Sequence, residues 1–328
     1  MSATGSVVTL GETMALLDAP ASGRLGPGSS LPLGLGGAES NVAIGLARLG
    51  VACTWISRVG DDALGTFVTR EIQAEGVRVL AHRDPEAPTG LMLKEHRHGR
   101  PWRVRYYRRG SAASRLSAAD IHDTVSAAIA NADVLHLSGI TAALGPGPLG
   151  AVERAIEVAR AAGTLVSFDV NHRSTLWSDA EAARVLTRLV AAADLVFAGP
   201  QEATLVLGHG PLDGPPTVED GEALARALVK RGPRTVVVKL GALGALAMSG
   251  DEVHAAPARP ITVVDPVGAG DSFVAGYLSE VVAGGSLPDR LRMGNVLGAA
   301  VCEVRGDWEG LPTRDELRER PDAQDVVR

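Results

Sequence analysis

The chain has 328 residues, 45% of them hydrophobic and 21% charged, with a formal net charge of −6 and a pI near 5.8. That length buries a large core, as one α/β domain or a domain with an appendage, and the acidic balance argues against a nucleic-acid partner, which needs a basic surface. Cys53 and Cys302 stand far apart in apolar surroundings and read as free thiols in a reducing compartment, and no metal-ligand spacing occurs.

In chain order, Val7–Leu10 and Met14–Leu17 read as strands, and Gly11 with Glu12 interrupts the apolar start, so no secretory signal is expected and the protein reads as cytoplasmic. A Gly/Pro/Ser-rich excursion runs from Ala19 to Ser30. Leu31–Leu35 then alternates into Gly36-Gly37-Ala38-Glu39-Ser40-Asn41, a glycine turn feeding a helix from Asn41 that stops at Gly50. Glu39 and Asn41 at that entry suit capping and dipole complement as well as ligand binding. Thr54–Val59 is a strand, and Gly60-Asp61-Asp62 with Gly65 opens a helix running to Gly76. Such alternation indicates βαβ units around a parallel sheet.

Thr89–Glu95 and Trp102–Arg109, joined by the polar turn 96–101, break this rhythm as a hairpin. Period two places Trp102, Val104, Tyr106 and Arg108 on one face, so Arg108 ends an otherwise apolar face. It serves there either as a solvated strand end or as a group that recognises a carboxylate or phosphate. Together with Leu31–Leu35 the hairpin is expected to form a small separate sheet over the mouth of the main domain. This lid comprises about 12–35 and 89–110, and its exposed apolar faces predict a homodimer through the lid sheets.

The βα alternation resumes with strands Asp133–Leu137, Thr164–Val170, Asp194–Phe197 and Thr235–Leu240 and helices Leu149–Ala162, Asp179–Ala192, Gln201–Leu207 and Val218–Arg231. A hairpin through Gly244 and Gly250 and a last helix, Leu291–Val304, complete the pattern. The uncharged stretch Val134–Val152 contains two prolines and four glycines and is no membrane span. Residues 320–328 are expected to fray.

The chain is organised around Val263-Val264-Asp265-Pro266-Val267-Gly268-Ala269-Gly270-Asp271-Ser272-Phe273. The β-branched run Ile261–Val264 reads as a buried strand, Pro266, Gly268 and Gly270 force a turn, and the spacing of Val274, Tyr277, Leu278, Val281 and Val282 starts a helix at Asp271. Unpaired N–H groups of Gly268, Ala269 and Gly270 then form an anion hole. Asp271 is either an ordinary N-cap or a base that accepts a proton from an attacking hydroxyl. The second reading gains from the polar residues that recur at strand C-termini, where open parallel sheets bind ligands: Asp169, Asn171 and Arg173, then Glu202, Lys239, Asp265 and Asp271. No Walker-type phosphate loop and no dinucleotide fingerprint is present.

Asp265–Phe273 resembles the C-terminal signature of the ribokinase-like (pfkB) carbohydrate kinases, and Gly36–Asn41 resembles their N-terminal one. The resemblance covers nearly the whole chain, including Gly60–Gly65 and the lid. Within that family, Tyr106–Ser114, Asp169–Arg173 with Leu176-Trp177, and Arg305-Gly306-Asp307 are most similar to the 2-keto-3-deoxygluconate kinases. The resemblance implies a single domain over 1–328, built as a three-layer α/β sandwich with a mostly parallel central sheet, helices on both faces and the β-sheet lid. It implies ATP- and Mg²⁺-dependent phosphorylation of a primary hydroxyl on a sugar acid, with Asp271 as base and Gly268, Ala269 and Gly270 stabilising the transferred phosphoryl group. Gly36, Gly37, Ala38, Glu39, Ser40, Asn41, Met92, Tyr106, Tyr107, Arg108, Arg173 and Asp307 would hold substrate, with Arg108 meeting its carboxylate. Asn171, Arg173, Lys239, Leu240, Gly241, Ala242 and Gly244 would lie along ATP, Asn295 would face adenine, Glu202 would organise Mg²⁺ through water, and Asp265 would sit by a K⁺ ion. Two positions depart from the family pattern: Gly199 replaces the asparagine of the Asn-x-x-Glu motif, and Met92 stands where a tyrosine often contacts substrate. The alternatives are a kinase for fructose or another neutral sugar, and a non-catalytic sugar-binding regulatory relative.

Overall fold

The computed structural model describes residues 5–19, 25–97 and 100–319, so the expected frayed tail at 320–328 lies outside the described residues, as does part of the 96–101 turn. Strands β1 (Ser6–Leu10), β2 (Met14–Asp18), β3 (Leu33–Gly36), β4 (Ala52–Gly60), β5 (Arg78–Asp84), β6 (Leu91–Arg97), β7 (Arg100–Tyr107), β8 (Val134–Ser138), β9 (Leu165–Asp169), β10 (Leu195–Ala198), β11 (Thr235–Lys239), β12 (Ala245–Ser249) and β13 (Glu252–Ala256) divide into two sheets. The larger runs β13-β12-β11-β10-β9-β8-β1-β4-β5 and is parallel except for the β11-β12-β13 meander. The smaller runs β3-β2-β6-β7 and matches the lid strands expected from the sequence.

Helices α1 (Ala38–Arg48), α2 (Ala63–Ala74), α3 (Asp123–Ala130), α4 (Gly139–Ala142), α5 (Pro146–Ala162), α6 (Asp179–Ala192), α7 (Pro200–Leu207), α8 (Val218–Val229), α9 (Ala269–Val282), α10 (Leu287–Cys302) and α11 (Arg314–Glu319) follow the strands. Period-two alternation sends Val8, Leu135, Val196 and Val236 to a core shared with α3 and α5–α8, while Val7, Val134, Phe197 and Val237 meet α1, α2, α9 and α10. The result is the expected three-layer sandwich, each buried Val, Leu or Phe contributing about 1.5–3 kcal/mol. The helix starts follow from local chemistry: Asp62, Ser178, Thr217 and Ser286 each accept a first-turn N–H at the heads of α2, α6, α8 and α10.

The segment before α9 and several helix starts depart from expectation. The run Ile261–Val264 is not a strand: β13 already closes that edge of the sheet, and Val263 and Val264 are 58% and 38% exposed. The N–H groups of Val264 and Asp265 instead donate to the Cys302 carbonyl at the end of α10, at 2.8 and 3.2 Å. Helix α9 begins at Ala269 rather than at Asp271, because Gly268, with φ +79°, occupies the N-cap. Likewise α1 begins at Ala38 rather than at Asn41, and α10 begins at Leu287.

Candidate active site

The C-terminal ends of β9, β10 and β11 and the N-termini of α1 and α9 converge on one cleft, with the small sheet along its side. Gly268 is the residue that makes this possible. Its left-handed φ is open to glycine, and any Cβ there would collide with the backbone carbonyl of Asp307. Among the described residues, the N–H groups of Gly270 and Asp271 at the head of α9 have no carbonyl partner, the condition for anion binding.

Asp271 lies in the first turn of α9. Asn41 from α1 donates to its Oδ2 at 2.9 Å, and Asn171 Nδ2 stands 3.5 Å from Oδ1. Burial pushes the Asp271 carboxyl up to about 7; the nearby Asp169 adds to this, and the Asn41 hydrogen bond, Arg173 and Lys239 oppose it. Asn171 holds a positive φ of 39°, unusual for a residue with a Cβ and tolerated best by asparagine. Lys239, at the end of β11, pairs with both oxygens of Asp169 at 2.7 and 2.9 Å. Burial alone would lower the Lys239 ammonium, but Asp169 and Glu202 carry it above the usual lysine range.

Two cavities meet at Asp271, sharing Arg173, Gly268 and Tyr106 in their walls. One, of about 640 Å³, is lined by Gly36, Gly37, Ala38, Asn41, Met92 and Asp307, together with Tyr106, Tyr107, Arg108 and Arg173. The other, of about 1060 Å³, carries Asn171, Glu202, Lys239, Gly268 and Gly270. An acceptor and a donor seated in the two cavities would meet at the carboxylate and the open N–H groups.

The profile of the pfkB family carbohydrate kinases matches residues 4–314. The chain belongs to the pfkB family of carbohydrate kinases. It is 39% identical over 326 residues to a 2-dehydro-3-deoxygluconokinase of Bacillus subtilis, covering 98% of this chain and 96% of that one. It superimposes on the crystal structure of 2-dehydro-3-deoxygluconokinase from Thermotoga maritima with a TM-score of 0.86 at 26% identity, covering 96% and 98% of the two chains. A ribokinase II structure from E. coli in complex with ATP and Mg²⁺, described as putative, gives a TM-score of 0.83 at 25% identity over 96% and 98%.

The pfkB reading of individual residues is corrected at several positions. Glu39 and Ser40 do not reach the cleft: both are fully buried on the inner side of α1, where Glu39 Oε1 accepts from Ser138 and Thr141 at 2.7 and 2.6 Å and Ser40 donates to the Gly37 carbonyl. Burial raises the Glu39 carboxyl. Arg108 does reach the cavity, but Glu12 already meets it: Arg108 Nη2 and Nε lie 2.5 and 2.6 Å from Glu12 Oε2, and Ser111 donates to Oε1. Glu202 accepts from the N–H groups of Gly199 and His172, at 2.6 and 2.9 Å, and closes the first turn of α7. Leu240, Gly241, Ala242 and Gly244 lie outside both cavities, and Asn295 donates to the carbonyls of Ala256 and Pro257 at 3.1 Å each.

The K⁺ ion expected beside Asp265 does not fit these residues. Lys94 Nζ sits 2.5 Å from Asp265 Oδ2 and 3.2 Å from Asp307 Oδ1, and Val267 and Gly306 donate N–H groups to the Asp265 carboxylate. Lys94 and Glu12 are the residues that sequence reasoning missed. The signal for Lys94 was present, since period two puts it on the inward face of β6 between Met92 and His96.

Proposed function

We propose that this pfkB kinase transfers the γ-phosphoryl group of ATP to the primary hydroxyl of a sugar acid, most specifically 2-keto-3-deoxygluconate, giving its 6-phosphate. The observation that carries the reading is the meeting of two cavities at a carboxylate whose burial holds it near neutrality beside two open helix-terminal N–H groups. Asp271, oriented by Asn41, accepts the hydroxyl proton as the oxygen attacks the γ-phosphorus. The Gly268–Asp271 turn holds the charge spread over the phosphoryl oxygens, and ADP leaves on the opposite side, toward Lys239.

Among the described residues no group of three or more His, Cys, Asp or Glu side chains could hold a metal ion alone, which suits an ion that arrives on the phosphates. Mg²⁺ would neutralise phosphate charge along the wall carrying Glu202. Arg108, polarised by Glu12, Tyr106 and Asp307 would bind the acid, while Asn171, Arg173 and Lys239 would border the nucleotide. The small sheet would act as a lid and as the face of a homodimer, and the two buried free thiols suit the cytoplasm.

The Glu12–Arg108 pair favours a second reading, a neutral sugar such as fructose, because the guanidinium already has a carboxylate partner. Turnover of 2-keto-3-deoxygluconate, fructose and ribose with ATP decides between them. We expect kcat/KM for the acid to exceed that for fructose at least about a hundredfold, and Asp271→Asn to lose about a thousandfold or more in kcat. Equal use of fructose would overturn the acid substrate, and unchanged turnover in Asp271→Asn would overturn the base.

A further inference from the structure

Behind the anion-hole turn lie two carboxylates. Asp265 precedes the turn and is fully buried, and Asp307 is 6% exposed, with its backbone carbonyl packed where a Cβ on Gly268 would fall. Two uncompensated negative charges at that spot would oppose binding of any anion to the Gly270 and Asp271 N–H groups. A cation is therefore required there. The chain supplies its own: Lys94, 2% exposed, extends from β6 of the small sheet and places Nζ against both carboxylates. Burial alone would weaken the Lys94 ammonium, yet Asp307 and Asp265 carry it above the usual lysine range, so it remains charged. Asp265 has its Oδ1 bonded to the Val267 N–H, and its Oδ2 to Lys94 and the Gly306 N–H. This carboxylate offers no open face to a dissociable ion.

We propose that the Lys94 ammonium takes the place of a monovalent metal cation behind the anion-hole turn, making this kinase independent of K⁺. Lys94 touches neither cavity and is a positioning residue. It joins the small sheet to Asp265 and Asp307, the two segments that fix Gly268. The inference rests on the kinase reading only for its activity readout.

The test compares wild type and Lys94→Met in chloride salts of K⁺, Na⁺ and tetramethylammonium at constant ionic strength, following both melting temperature and ATP-coupled turnover. Wild type is expected to melt at the same temperature and turn over within about twofold in all three salts, since a cation that does not bind cannot stabilise. Lys94→Met is expected to lose about a hundredfold in turnover in tetramethylammonium and to regain about tenfold in K⁺, with a matching rise in melting temperature. A wild type that K⁺ activates or stabilises would overturn the proposal, as would a folded Lys94→Met with normal turnover and no response to K⁺. Should Lys94→Met not fold, the wild-type comparison decides alone. Absence of turnover with every sugar would count against the kinase reading, while the melting temperatures would still decide the cation question.

Discussion

Asp271 carries two opposed demands. Ionised, it can take a proton; buried, it is costly to ionise, and its carboxyl is raised from 3.8 to about 7. A native pKa above the unfolded one adds stability below about 3.8, and that stability is lost as pH rises through about 7. At pH 8 the ionised aspartate therefore destabilises the fold, so Asp271→Asn should melt higher than wild type there and match it near pH 4. Activity should run the other way, kcat/KM rising with slope one below an apparent pKa near 7 and levelling above it. Thermal melts across that range and a pH–rate profile check both. A flat profile from pH 6 to 9 would remove Asp271 as the titrating base.

The elements that position the site were legible where chemistry and periodicity agreed. The β9, β10 and β11 ends, the glycine turn before α1 and the Gly268–Asp271 turn all lie where strand-end polar residues had pointed. Local signals misled where a partner decided the outcome. Ile261–Val264 has strand composition but no free sheet edge to join. Strand β5, Arg78–Asp84, carries charge at both ends and pairs only with β4, so it shows no clean alternation. Glu39 looked like a ligand because acidic residues favour helix starts and sites alike, and only the hydroxyls of Ser138 and Thr141, about a hundred residues distant, turn it inward. At the head of α9 the deciding residue is Gly268. Gly268→Ala should cost about 1–3 kcal/mol for the left-handed backbone alone and more for displacing Asp307, with turnover falling further than stability. Urea unfolding beside steady-state kinetics measures the two, and an unchanged kcat would show that the turn does not hold the phosphoryl group.

At the scale of the molecule, the small sheet leaves Leu33 on β3 44% exposed and Trp102 on β7 43% exposed, apolar area that a second copy would cover. Sedimentation equilibrium should therefore give twice 33.8 kDa, and Leu33→Glu on the edge strand β3 should shift the species toward 33.8 kDa. A monomer at micromolar concentration would refute the shared surface. The strand order has a different consequence, in time. From β1 outward, β8, β9, β10, β11, β12 and β13 add in the sequence in which they are made, each docking on the edge left by the one before. The Asn41–Asp271 hydrogen bond, by contrast, joins residues 230 apart. At about 5–20 residues per second on a ribosome, the acceptor half of the site waits roughly ten to fifty seconds for its base, so a nascent chain cut short before α9 carries every strand of both sheets and none of the chemistry.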